Sequence, residues 1–296
     1  MNPTSAAIWR RAAVQPVLAA YANCQSVDAV MMSGSTARGD ADDWSDVEVG
    51  VFWSAPPTLQ ERESAAGRAG AAHRRMVNGA EANPPWYDHL FLAGGLMIEV
   101  VHSRTDGVEE MLDRILRRCV PDPPALDAIK GIVDGREVRG VQADVVARWQ
   151  DRAAQYPRGL AIAVIEGGAI EQFWRWRMLV DRNNPLLIAR EFSRIASQLL
   201  TILHALNGRY CGHASAFKRL DSLDLPLAPG DLAGRLRGVF TLSTAEGAET
   251  LRRLVEETFD LIEAHLPEVD VERLRQLFRA DRKPLAEPAG GSPEWL

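Results

Sequence analysis

From Thr4 to about Asn23 the apolar residues Ile8, Ala12, Val14, Val17, Leu18 and Tyr21 recur at three- and four-residue intervals, the spacing of an amphipathic helix. A β-branched apolar run from Val27 to Met32 follows and predicts a strand. It breaks at Ser33-Gly34-Ser35-Thr36, small residues that can end a strand and supply an N-cap to a short helix. Between Asp46 and Trp53 the period becomes two. Val47, Val49 and Val51 fall on one face, and Asp46, Glu48 and Gly50 on the other. Pro56-Pro57 closes that strand, and Thr58 to about Met76 reads as a polar, Ala- and Arg-rich helix, a solvated excursion with a charged face. Trp86 to Leu92 and Leu96 to His102 read as strands joined by a tight hairpin at Ala93-Gly94-Gly95, which sets Glu99 in the middle of the second.

After Thr105 helical spacing takes over. It predicts helices over Asp106–Arg118, Pro124–Val133, Val141–Tyr156, Gly159–Ile165, Ile170–Asp181, Pro185–Leu206, Ala214 to about Leu223, Ala245–Leu266 and Val271–Arg279. Strands first and helices afterwards make an α+β chain. The expected division is a first domain over residues 1–140, an all-α second domain over 141–285, and a loose Pro- and Gly-rich tail over 286–296.

Composition narrows the function classes. The 296 residues suit two modest domains, and 46% hydrophobic with 25% charged residues is an ordinary globular balance without repeats. A net charge of -6 argues against non-specific nucleic-acid binding, which needs a surplus of Lys and Arg, and favours a small or cationic partner. Cys24, Cys119 and Cys211 lie far apart and outside any CxxC spacing, so neither a disulfide framework nor a zinc site is expected. The start of the chain has Arg10 and Arg11 but no apolar core of signal-peptide length, and no apolar run reaches membrane-spanning length. The expectation is a cytoplasmic protein.

The chemistry concentrates between residues 33 and 99. Asp46 and Glu48, two apart on a strand, share a face at about 6 to 7 Å between Cα atoms and can converge on one hard divalent cation such as magnesium, which takes one or two protein carboxylates and completes its shell with water and phosphate. Upstream, the strand end at Gly34-Ser35 offers backbone N–H groups and a hydroxyl to an anion, with glycine allowing close approach. A P-loop is excluded, because GxxxxGK[ST] is absent.

The run from Ser33 to Glu48, S-G-S-T-A-R-G-D-A-D-D-W-S-D-V-E, resembles the signature of the polymerase-β nucleotidyltransferase superfamily in its minimal, antibiotic-modifying branch: G-S-x-A-R-G followed by S-D-[IVL]-D. The resemblance covers about residues 26 to 53. It implies a mixed sheet flanked by helices and a third carboxylate on a later strand, for which Glu99 is the match. It also implies Gly34, Ser35, Arg38 and Ser45 around the nucleotide, and Mg²⁺ with a nucleoside triphosphate, ATP foremost, as co-substrate. The chain departs from the pattern in carrying Glu48 and Glu99 where aspartate is usual, which leaves the metal number open. Arg38 reads equally as a triphosphate contact or a solvated side chain.

In the helical half, the segment from Leu203 to Leu223 resembles partner domains of such enzymes, which makes Lys218 the candidate lysine for the triphosphate. Phe173, Trp174, Trp176 and Arg177 cluster on one expected helix, mainly as core. Glu171 and Glu191 stand as alternative general bases, and His102, His204 and His213 read as structural. The leading expectation is transfer of a nucleoside monophosphate to a hydroxyl of a small acceptor such as an aminoglycoside or lincosamide, with Asp40, Asp42 and Asp43 nearby to attract a polycation. The alternatives are modification of a protein or tRNA, kept open by an Arg-rich set that includes Arg74, Arg75, Arg190 and Arg194, and an inactive nucleotide-binding module.

Overall fold

Strands β1 (Val27–Ser33), β2 (Val47–Trp53), β3 (His73–Met76), β4 (Trp86–Phe91), β5 (Met97–Arg104) and β6 (Arg136–Arg139) form a six-stranded sheet in the order β3-β4-β5-β2-β1-β6. The computed structural model describes residues 2–76, 85–170, 175–211, 217, 220 and 223–280. β2 and β5 run parallel and the other neighbouring pairs antiparallel, so the sheet is mixed and the fold α+β. The β4–β5 connection is the tight one expected. Gly94 and Gly95 both adopt φ +87°, a region open to glycine and costly for other residues.

The period-two stretch explains which face of the sheet is dry. Val47, Val49, Val51 and Trp53 point to one side together with Val30, Met32, Leu90, Ile98 and Val100. They pack on Val17, Leu18 and Tyr21 of helix α2 (Gln15–Ala22) and on Ala65 and Ala66 of α4 (Leu59–Arg68). Within this apolar layer lies a charged network. Arg62 of α4 grips Asp88 of β4 with Nε and Nη2 at 2.9 and 2.7 Å, both side chains fully buried. Trp53 Nε1 donates to His102 Nδ1 at 3.1 Å, which leaves the imidazole proton on Nε2, 3.1 Å from Asp88 Oδ2. Burial pushes the His102 pKa down and keeps the ring neutral. Burial alone would raise Asp88, but the bonds from His102 and Arg62 outweigh it and hold the carboxyl at about 2.

Several elements depart from the sequence reading. The opening helix is two, α1 (Ser5–Ala13) and α2, divided at Val14, where Pro16 in the first turn of α2 lacks an N–H and cannot continue α1. The stretch read as a solvated helix to Met76 ends at Arg68 and turns back as edge strand β3. Its helix is no excursion, since Arg62, Ala65 and Ala66 are buried. Strand β6, four residues of which three are charged, gave no apolar signal at all.

The other face of the sheet carries α5 (Thr105–Leu112), which continues into a π-helical turn at Asp113–Arg117, then α6 (Pro123–Asp134) and α7 (Asp144–Ala153). Trp149 of α7 meets Phe52 edge-on at 4.8 Å and donates to Glu109 at 2.6 Å, and Gln150 reaches the carbonyls of Ile132 and Gly135. These contacts tie α7 to the first compact unit, which runs from Met1 to Leu160 with Tyr210–Gly212. The second unit, Ala161–Arg209 with His213–Leu296, contains α9 (Arg175–Arg182), α10 (Pro185–Leu206), α11 (Leu232–Thr241), α12 (Thr244–His265), α13 (Val271–Arg279) and most of α8 (Arg158–Gly167). α10 starts at Pro185, where the Asn184 side chain accepts the Leu187 N–H, and α12 where Ser243 and Glu246 form a capping box. Helix α11 was not anticipated. Most of the helix expected over 214–223 and the tail over 286–296 lie outside the described residues.

Candidate active site

Residues paired across neighbouring strands project to the same face of a sheet. The register pairs Ser33 with Glu48, Glu48 with Glu99, Glu99 with His89, and His89 with Arg75. One row therefore crosses five strands on the face opposite the Asp88 network: Ser33, Glu48, Glu99, His89, Arg75. At its centre two carboxylates stand on adjacent strands, about 4.8 Å apart along the hydrogen-bonding direction, both only half-buried. Like charges directly opposite each other destabilise a sheet, and such a pair is stabilised by a cation.

The strand-to-helix turn shapes this site. Gly34 opens helix α3 (Gly34–Arg38) with φ +67°, and a Cβ there would lie 2.6 Å from both Cδ and Oε1 of Glu48. The absence of a side chain is thus what admits the Glu48 carboxylate over the turn. Ser33 occupies the N-cap position without capping, contrary to expectation. Its hydroxyl donates instead to the Gly131 carbonyl of α6 at 2.9 Å. Thr36, fully buried, donates to the Asp46 carbonyl at 3.4 Å and ties α3 to the entrance of β2. A five-residue helix has little dipole, so any anion here meets individual groups rather than a helix end.

Between α3 and β2 the acidic turn is held by the first helix. Arg10, buried to 3% exposure, donates to the carbonyls of Ser45 and Asp43 at 2.8 and 3.0 Å, and Arg11 donates to those of Thr36 and Ala37. Ser45 uses its hydroxyl inside the turn: it donates to Asp42 Oδ1 and accepts from the Asp42 N–H. That hydroxyl bond holds the Asp42 carboxyl below its usual range. Asp46 immediately precedes β2 and is half-buried. Among the described residues no group of three or more acidic, His or Cys side chains is gathered closely enough to hold a metal ion, so Asp46 does not join Glu48 and Glu99 in a ready-made triad. The pair still fits a hard cation of the magnesium type: both donors are carboxylates, they are adjacent, and two protein ligands suffice when phosphate oxygens complete the shell.

No family model matches the chain, and no curated protein matches it. Among solved structures, a nucleotidyltransferase-like protein from Exiguobacterium sibiricum 255-15 is similar at 14% identity over 90% of this chain and 80% of that one, with a TM-score of 0.42. Likeness at that level carries no functional weight.

The remaining expected residues divide. Arg38 is partly exposed and ion-paired: Nη1 donates to Asp134 Oδ2 of α6 at 2.9 Å. Lys218, Glu171, Phe173 and Trp174 lie outside the described residues, as do the side chains of Trp176 and Arg177. Glu191 is buried and ion-paired to Arg194 at 3.0 Å. Arg74 likewise pairs with Glu63, so the expected Arg-rich set is in part neutralised locally. Three residues near the row were missed in the sequence. His89 and Tyr87 sit on β4 beside Glu99, and the Tyr87 hydroxyl is pushed up in pKa by burial and then by the Glu99 charge. Alternation along Trp86–Phe91 was the available signal for both. Lys130 of α6 joins Arg38 on Asp134, and nothing local in the sequence marks it.

Proposed function

We propose that this chain is a metal-dependent nucleotidyltransferase that moves a nucleoside monophosphate, AMP foremost, from a nucleoside triphosphate to a hydroxyl of a small acceptor such as an aminoglycoside or lincosamide, with release of pyrophosphate. The observation that carries this reading is the in-register pair Glu48–Glu99, with the Glu48 carboxylate lying over the side-chain-free Gly34 of the strand–turn–helix. The resemblance of residues 33–48 to the nucleotidyltransferase signature supports it. Glu48 and Glu99, with Asp46 at the edge, are the groups that would hold Mg²⁺. When bound, the ion supplies charge neutralisation for the triphosphate and for the departing pyrophosphate.

The protein's own part is positioning. Gly34 leaves room above the turn, Ser35 is half-buried beside it, and the clamps from Arg10, Arg11 and Thr36 fix the turn before substrate arrives. The acceptor hydroxyl must approach from the side of Glu99, where His89 and Tyr87 flank the carboxylate. The net charge of -6 and the acidic turn Asp40–Asp43 suit a cationic acceptor better than a polynucleotide.

The test is pyrophosphate release from each nucleoside triphosphate with Mg²⁺, across a panel of aminoglycosides, lincosamides and bulk tRNA. Release that requires one small acceptor and falls by about 10²-fold or more in Glu48→Gln and Glu99→Gln is expected. Release that persists in both variants would remove the reading, and release with tRNA alone would replace its acceptor.

A further inference from the structure

Lys130 and Arg38 come from different elements, yet both donate to one oxygen. Lys130 Nζ lies 2.6 Å and Arg38 Nη1 2.9 Å from Asp134 Oδ2. Arg38 Nε is buried without a hydrogen-bond partner among the described residues and stands 3.5 Å from Asp40 Oδ1. The side chains retain 31% (Lys130), 25% (Arg38) and 18% (Asp134) of their exposure, which leaves the cluster reachable from solvent. Its place is set by α6. The residue after Lys130, Gly131, accepts the Ser33 hydroxyl through its carbonyl, and Ser33 is the cross-strand partner of Glu48. The two cations therefore stand beside the carboxylate row, on the β1 side, one turn of α3 from Gly34.

We propose that Lys130 and Arg38 form the subsite for the polyphosphate tail of the nucleotide, and that Asp134 holds them there until the anion arrives. This rests on the nucleotidyltransferase reading and extends it to a residue outside the signature. Lys130 and Arg38 meet on one Asp134 oxygen, and the Arg38 Nε lies in ion-pair range of Asp40 without a hydrogen bond to it, so neither cation has a full set of hydrogen-bond acceptors. A phosphate offers several anionic oxygens, so each cation can take an oxygen of its own instead of sharing one of Asp134. Asp134 then acts as a competitor of the ligand as well as a clamp between α3 and α6. The two roles predict opposite signs on its removal.

The experiment measures dissociation constants for ATP, ADP and AMP with Mg²⁺ by isothermal titration, on the full chain and on Lys130→Gln, Lys130→Arg and Asp134→Asn, with thermal melting to confirm the fold of each. Losing one charge-assisted hydrogen bond should weaken ATP and ADP about ten-fold in Lys130→Gln and AMP less than about two-fold, with Lys130→Arg close to the original. Asp134→Asn should tighten ATP about three-fold, because it removes the competing charge. The proposal is overturned if Lys130→Gln leaves ATP unchanged, if it weakens AMP as much as ATP, or if Asp134→Asn weakens ATP, the result expected of a clamp alone. Should Lys130→Gln fail to fold, the sign of the Asp134→Asn change decides. Failure of the unaltered chain to bind any nucleotide would instead sink the enzymatic reading itself, and the two failures are separable on that ground.

Discussion

The two faces of this sheet handle their acidic residues in opposite ways. On one, Asp88 is sealed from water and surrounded: a bidentate guanidinium from Arg62, and the Nε2–H of a His102 whose other nitrogen is fixed by Trp53. On the other, Glu48 and Glu99 are half-exposed neighbours of like charge, held in register by backbone pairing. The first arrangement is closed on itself and serves the fold. The second keeps two anions side by side at the cost of their mutual repulsion, which is the arrangement expected where a cationic ligand completes the site. Acid content alone therefore says little about function; burial and what stands directly opposite each acid separate the two faces.

The contrast can be broken by stability measurements. The largest expected effect belongs to Asp88→Ala, which strands Arg62 as an uncompensated buried charge and should cost about 3 to 5 kcal/mol in urea unfolding. Acid should come next. Asp88 is held at about 2 in the folded chain against about 3.9 when unfolded, so its stabilisation is complete above about pH 5 and is lost progressively as pH falls from about 5 towards 1, about 2.6 kcal/mol in all. His102, depressed by burial, adds to the trend earlier: below about pH 6.5 the unfolded chain takes up a proton that the folded ring refuses. Urea midpoints at pH 7, 5 and 3 should fall in that order, and a flat profile would contradict the network. Gly34→Ala ranks third. Its positive φ and the collision with Glu48 should cost about 1 to 2 kcal/mol and most of the magnesium-dependent nucleotide affinity. The smallest effect on stability sharpens the comparison most: Glu48→Gln should shift unfolding by less than about 0.5 kcal/mol, or stabilise the chain, while turnover is lost. A Glu48→Gln variant as unstable as Asp88→Ala would show that both faces serve the fold alone.

Much of the site region was legible, because its signals are local. Period two over 46–53 placed Glu48 on the wet face, Gly94-Gly95 placed the hairpin that presents Glu99, and helical spacing placed α10 and α12. What escaped was what depends on partners far away in sequence. Arg62 reads as a solvent-facing helix residue, and only Asp88, brought over on β4, makes its burial possible. Strands β3 and β6 lie at the sheet edges, where one-sided pairing tolerates charged residues and erases the apolar period. Arg10 and Arg11 look like surface charges, yet their acceptors are carbonyls of α3 and the turn after it. The small residues Ser33 to Thr36 suggested an N-cap, whereas the Ser33 hydroxyl finds its acceptor on α6, far along the chain.

The parallel pairing of β2 with β5 bears on how the chain comes together. The β4–β5 hairpin closes over a few residues and β1–β2 across α3 and the acidic turn, so both pairings are local and can form early. Glu48 meets Glu99 only when these halves dock across the intervening segment. A slip of one residue at that docking would turn Glu99 into the dry layer and bring Ile98 or Val100 to the row instead. The carboxylate pair should therefore be among the last features to appear in refolding, with ligand affinity lagging behind the main gain of secondary structure. A divalent ion captured by the pair would act as a proofreader of the register, holding the one alignment in which both acids share a face.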